Sequence, residues 1–487
     1  MFEAHGSRKQ SVTARIARSA ALALALGLSS AAMGQITNWI DSGGGLWSDP
    51  ANWDAGVPGG GTNDTAVIGL AGAYIVTLDA AAGNPTLDEL DINNAGVTLD
   101  ILPARTLALR GPLSTNQGTI RLNLANSASN AVLRIDGAVA LGGVGEIQLL
   151  TGGNDSQIAG VGTLTNGADH LIRGVGQVTC PVVNAGEIRA DATIAVFGTE
   201  LDLFADDKTN NGVISAASGS FLDITGITVD QTGGGTLLGM DGGTVRIGTG
   251  ATIIGGDAQT AGTGVISTLG SPVLSGLTNR GAFLLNAAHT VTVDAGGLTN
   301  NGTIDLNTQN SAANAVLAFS QSATLGGTGE VRLFSAGDNS QVTTDPNATL
   351  TQASGHTIRG VGQVRAAIIN NGVIDADKSF ALFGNNLVLL SNDKTNNGTI
   401  GADPNSILDI TGITINQSGN GVLLANGGTI RTTNAAIVGG RVNATGTGTL
   451  STFAGTTTLT DVTLNAPTML NAAQTIAVNG AGLTNNA

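Results

Sequence analysis

His170-Leu171-Ile172-Arg173-Gly174-Val175-Gly176-Gln177-Val178 recurs in the same chain as His356-Thr357-Ile358-Arg359-Gly360-Val361-Gly362-Gln363-Val364. Asp207-Lys208-Thr209-Asn210-Asn211-Gly212 returns at 393–398, and Leu222-Asp223-Ile224-Thr225-Gly226-Ile227-Thr228 returns at 408–414. All three pairs are 186 residues apart, while Gly118-Thr119-Ile120 matches Gly302-Thr303-Ile304 at 184. The chain therefore holds a duplicated unit of about 185 residues, with small insertions tolerated between anchors. Self-similarity on this scale is the signature of a stacked repeat architecture.

Each unit contains a shorter, looser motif: a turn ending in Gly, then alternating apolar residues. Asn116-Gln117-Gly118-Thr119-Ile120-Arg121-Leu122 and Asn300-Asn301-Gly302-Thr303-Ile304-Asp305-Leu306 are examples, as are Asn210 to Ile214 and Asn396 to Ile400. Asn-Gly steps are read here as sources of the positive φ angles of tight turns. The alternation places Ile120 with Leu122, and Ile304 with Leu306, on one face of a strand. Anchors 20 to 27 residues apart give roughly eight coils per unit and roughly nineteen in all, a rod on the order of 90 Å at about 4.8 Å per coil. The expected fold is all-β, a parallel β-helix (solenoid), with aligned asparagines forming amide ladders. An antiparallel β-sandwich or propeller array is the competing fold; short strands and missing blade-closing aromatics rank it second.

Composition agrees. Gly accounts for 73 of 487 residues and aromatics for 3%, so a globular core of interlocking rings is not available. Apolar residues still reach 41%, which argues against disorder. With net charge −15 and sparse Lys and Arg, no nucleic acid partner is expected. The single Cys180 cannot form an intrachain disulfide.

Arg8, Lys9, Arg15 and Arg18, the apolar run Ala20–Leu28 and the small-residue site Ala32-Met33-Gly34 read as an export signal. The expected organisation is a signal peptide over 1–34, then an N-terminal Trp-rich cap and first coils over 35–96. The first long unit covers 97–297, the second 298–482, and 483–487 opens a truncated third. The cap assignment rests on Trp39, Trp47 and Trp53, which are all of the chain's tryptophans. A solenoid's open end needs a cover. No transmembrane segment is expected in the mature chain.

Trp47 through Trp53, Gly56-Val57-Pro58 and Asn63-Asp64-Thr65-Ala66-Val67-Ile68 resemble the opening module of large bacterial secreted repeat proteins. Asn-Asn-Gly-Thr-Ile and Leu325-Gly326-Gly327-Thr328-Gly329-Glu330-Val331 resemble coils of autotransporter passengers and haemagglutinin-like surface adhesins. The resemblance covers most of the mature chain through generic structural motifs. It implies an extracellular or outer-surface β-helical protein of adhesive character, and it carries over no catalytic residue.

Candidate chemistry is thin. His170 with Arg173 and His356 with Arg359 are aligned copies that could contact an anionic sugar, but eight coils separate them, so they cannot share one active site. Trp47 and Trp53 are alternative ligand residues, as a platform for sugar rings. Asp223 and Asp409, in repeated Leu-Asp-Ile-Thr strands, are expected to face solvent. Oxygen-rich loops at Gly152–Ser156 and Gly337–Ser340 lack the order of calcium-binding motifs. Carboxylates clustered across neighbouring coils are invisible to a linear reading. No catalytic residue, metal ligand or cofactor is assigned. The expected function is a structural or adhesive rod, not an enzyme, with a surface polysaccharide or a host or neighbouring cell surface as partner and the anchoring partner open. The alternative is a carbohydrate-active β-helix enzyme, a polysaccharide lyase or glycoside hydrolase. A passive spacer in a longer polypeptide is a third reading.

Overall fold

The computed structural model describes residues 35–61 and 64–487; the expected signal peptide lies outside them. The chain winds into a parallel β-solenoid of about 18 turns, with almost no helix. Each turn contributes one strand to each of three stacked rows, hereafter faces one, two and three. Glu187–Ala190 lies on face one, Glu200–Leu203 on face two and Lys208–Asn210 on face three. Each pairs in parallel with the strands one turn below and above. The period-two pattern explains the inside and the outside. In Glu187-Ile188-Arg189-Ala190, Ile188 and Ala190 are fully buried while Glu187 and Arg189 point outward. Stacked Ile, Val and Leu fill one continuous interior. Burial of such side chains contributes roughly 1.5–3 kcal/mol each.

The three tryptophans close the described N-terminal end. Trp39 and Trp47 each pack edge-on against Trp53, with ring centroids 5.0 and 4.9 Å apart. Their indole N–H groups donate to the carbonyls of Asp41, Pro58 and, from Trp53, Trp47.

One sequence expectation needs correction. The glycines of the Asn-Gly steps do not supply positive φ angles: Gly212 and Gly398 are absent from the left-handed region. They are needed because the coil below approaches closely. A Cβ on Gly212 would lie 2.1 Å from the Gly186 carbonyl oxygen, and one on Gly398 would lie 2.2 Å from that of Gly372. Positive φ falls instead on other residues, Asn123, Asn307 and Asn405 among them.

The duplicated unit holds the expected eight or so turns but is not a whole number of them. From Leu171–Gly174 on face one, eight stacking steps arrive at Leu350–Gln352. The matching strand Thr357–Gly360 is the next one along the chain, and it stacks on face two. Likewise Glu200–Leu203 on face two matches Asn386–Leu389 on face three, and Lys208–Asn210 on face three matches Lys394–Asn396 on face one. The unit is eight turns and one strand. Every duplicated outward residue therefore moves to the neighbouring face.

Candidate functional site

His170 is an interior residue. It precedes a strand whose Leu171 and Arg173 point out and whose Ile172 points in, so the histidine and its arginine are on opposite sides of the wall. Its Nδ1 lies 2.8 Å from Asn166 Oδ1, and its Nε2 lies 3.1 Å from Asn116 Nδ2. The pairing requires the neutral ring protonated on Nδ1, so that Nε2 accepts. Burial agrees, holding the pKa down at about 4. The ring bridges a gap in an amide ladder that continues from Asn166 through Asn184 and Asn210 to Gln231, with steps of 2.8, 2.8 and 2.9 Å. His356 repeats the placement, with Nε2 3.1 Å from Asn300 Nδ2 and burial again lowering its pKa to about 4. There Gln352 replaces Asn166, and both Gln352 Oε1 and His356 Nδ1 are left without a hydrogen-bond partner.

The sequence-based ligand residues thus divide. His170, His356, Trp47 and Trp53 are buried and offer almost no surface to a ligand. Arg173 and Arg359 are outward. Arg173 pairs with Glu146 at 2.7 Å and Asp191 at 3.2 Å; Arg359 faces Glu330 at 3.4 Å and Asp377 at 3.6 Å. Cys180 is a buried core residue whose thiol pKa burial pushes up to about 11.

Lys208 and Lys394 are duplicated polar residues that the sequence reading missed. Both are buried, and their ammonium groups donate to backbone carbonyls: Lys208 to Asp206 at 2.5 Å, Lys394 to Asn392 at 2.5 Å. Burial lowers their pKa values to about 8 and about 7. The alternation in Lys-Thr-Asn carried the signal, since an inward asparagine two residues on puts the lysine inside as well.

The best-formed candidate site lies on face two of the first unit. Glu200 and Asp202 project from one coil and Asp223 from the next, with carboxylate oxygens within 4.8 Å of one another. Arg246, one coil further, pairs with Asp223 at 2.5 Å and Glu200 at 2.7 Å, and lies 4.2 Å over the Phe221 ring. Asp223, expected to face solvent, points outward but is nearly covered. Asp202 is the distinctive member. Burial first, then the charges of Asp223 and Glu200, raise its pKa to about 6. Asp202 and Asp223 border a shallow cavity of about 480 Å³ lined also by Gln177, Phe204 and Thr225. Three carboxylates in this arrangement can hold a cation or exchange a proton with a bound hydroxyl. The second unit does not repeat the site. Asn386 and Val388 stand for Glu200 and Asp202, and only the Asp409–Arg431 pair is retained, at 2.6 Å. The oxygen-rich loops singled out in the sequence take no part in the cluster.

A different acid pair marks the second unit. Asp375 is half-buried beside Asp403, and its partial burial together with that neighbour raises its pKa to about 8. Comparison with protein-family models, curated proteins and solved structures finds no match.

Proposed function

We propose that this chain is an exported structural rod of the outer cell surface, which displays its flanks to extended polysaccharide and performs no catalysis. One observation carries the reading. The residues kept between the two units build the scaffold: the amide ladders, His170 and His356, and the buried Lys208 and Lys394. The carboxylate cluster, by contrast, is present once among the described residues. A duplication kept for an active site would keep its acids. The resemblance to autotransporter passengers and haemagglutinin-like adhesins supports the same reading. No helix among the described residues is long and apolar enough to cross a membrane. The test is incubation of the folded protein with a polysaccharide panel, following both binding and release of new reducing ends or unsaturated products. Binding without release supports the rod.

A second reading has its own observation. Asp202 and Asp223 border a groove with Glu200 beside them, and Asp202 has its pKa raised to about 6, which suits a carbohydrate-active enzyme with one protonated and one ionised acid. Product release that disappears in Asp202→Asn would establish it over the rod.

A further inference from the structure

Among the exposed large apolar side chains of the described residues, one aromatic ring is duplicated. Phe197 and Phe383 are 65% and 63% exposed, and each follows another exposed apolar residue, Val196 or Leu382. Their loops, 191–199 and 377–385, keep the Asp, Ala, Phe and Gly positions while Ala192-Thr193-Ile194 has become Lys378-Ser379-Phe380. The backbone that carries each ring is fixed by hydrogen bonds. Val196 N–H donates to the Leu150 carbonyl at 2.7 Å, and Gly152 N–H donates to the Phe197 carbonyl at 2.9 Å. The second loop makes the same two bonds, from Leu382 to Phe334 at 2.9 Å and from Ala336 to Phe383 at 3.2 Å. Each loop thereby crosses one coil to bridge to the next but one, at Thr151 or Ser335. Each also begins on a duplicated ion-pair group. Asp191 accepts from Thr193 N–H and pairs with Arg173; Asp377 accepts from Ser379 N–H and faces Arg359.

We infer that these loops are two equivalent docking points for a neutral, flexible polysaccharide, each stacking one sugar ring on its phenylalanine beside the arginine–carboxylate pair. The inference rests on the proposed polysaccharide-binding rod and names the ligand and its site. Size argues against a folded protein partner: a stable interface buries about 800 Å² per side, far more than one ring and one aliphatic side chain supply. The two loops cannot merge into one patch, because about eight coils, on the order of 38 Å, separate them. Charge argues against an acidic polymer, since the chain carries a net −15. The offset of the unit sets the last property. Phe197 lies at the corner between faces one and two, and Phe383 at the corner between faces two and three. A rigid flat surface cannot readily meet both; a flexible strand can, and it gains from linked binding.

The test is affinity electrophoresis in soluble galactomannan and mixed-linkage β-glucan, with short oligosaccharides of each as competitors and polygalacturonate as the acidic control. Wild type should be retarded by at least one neutral polymer and not by polygalacturonate. Phe197→Ala or Phe383→Ala alone should weaken retention about tenfold, towards the affinity of the short oligosaccharide, and the double variant should abolish it. Phe197→Trp should restore the single variant. Unchanged thermal unfolding would show that the exposed substitutions leave the fold intact. Retention of the double variant equal to wild type would overturn the docking points while leaving the polysaccharide reading standing. Failure of wild type to bind any neutral polymer would overturn both.

Discussion

The two units are near-copies inside and different outside. In the first, His170 completes a ladder in which both ring nitrogens are paired; in the second, Gln352 leaves His356 Nδ1 and its own Oε1 unpaired. Outside, a three-carboxylate cluster in one unit is reduced to a single Asp–Arg pair in the other, and an Arg189–Glu187 pair gives way to the Asp375–Asp403 pair. Inner residues answer to the coils above and below, which are alike in both copies. Outer residues answer to whatever the surface meets, and the copies face different sides.

The largest expected effect tests the sameness of the interiors. Asn184 donates to the Gly186 and Val213 carbonyls and to Asn210; its counterpart Asn370 donates to the Thr399 carbonyl and to Asn396. Asn184→Ala and Asn370→Ala should each cost about 3 kcal/mol or more, because several buried groups lose partners at once. Urea unfolding of the two variants should give matched losses. A large inequality would break the equivalence of the ladders.

Acid comes next. The folded-state pKa values of His170 and His356, about 4, lie below the unfolded value of 6.5. Their contribution is therefore complete above pH 6.5 and is lost as the pH falls from 6.5 through about 4, by roughly 3 kcal/mol each. Unfolding free energies measured between pH 7 and pH 4 should show a shallower decline in His170→Gln and in His356→Gln than in wild type.

Asp375 has the opposite sign. Its folded-state pKa, raised to about 8, lies above the unfolded value, so stability is lost as the pH rises from about 4 through 8. Asp375→Asn should stabilise the chain at pH 9 by a few kcal/mol and leave it nearly unchanged at pH 4. Thermal melts at the two pH values check the prediction. The equivalent first-unit position, Arg189, confers no such dependence.

The smallest effect sharpens the comparison most finely. Gln352→Asn restores the side chain found at Asn166 and should pair His356 Nδ1, gaining about 1 kcal/mol in the second unit. An unchanged or lowered melting temperature would mean that the two histidine pockets differ by more than this one residue.

Much of the fold was legible in the sequence. The long duplication and the alternation in segments such as Thr119-Ile120-Arg121-Leu122 announce stacked strands, and the tryptophan cluster announces a cap. The face offset was not legible, because it depends on how strands are allotted to corners. Leu171–Val178 turns a corner within one unbroken strand, whereas its copy is divided between Thr357–Gly360 and Gly362–Val364. Site residues were legible only where local alternation decides them. His170 and Arg173 are three residues apart, an odd spacing that sends them to opposite sides of the wall. The cluster of Glu200, Asp202 and Asp223 depends on two coils coming into register, and no local spacing announces that.

The central claim is that one continuous parallel solenoid joins the two units with an offset of one face. Cysteine pairing across the junction tests it most directly. Leu284 and Asp305 are register partners on face two, whereas Thr278 stacks on Thr299 on face one. The account predicts that Leu284→Cys with Asp305→Cys forms a disulfide under mild oxidation in folded protein, and that Thr278→Cys with Asp305→Cys does not. Efficient bonding of the second pair in place of the first would put Asp305 on face one and contradict the offset.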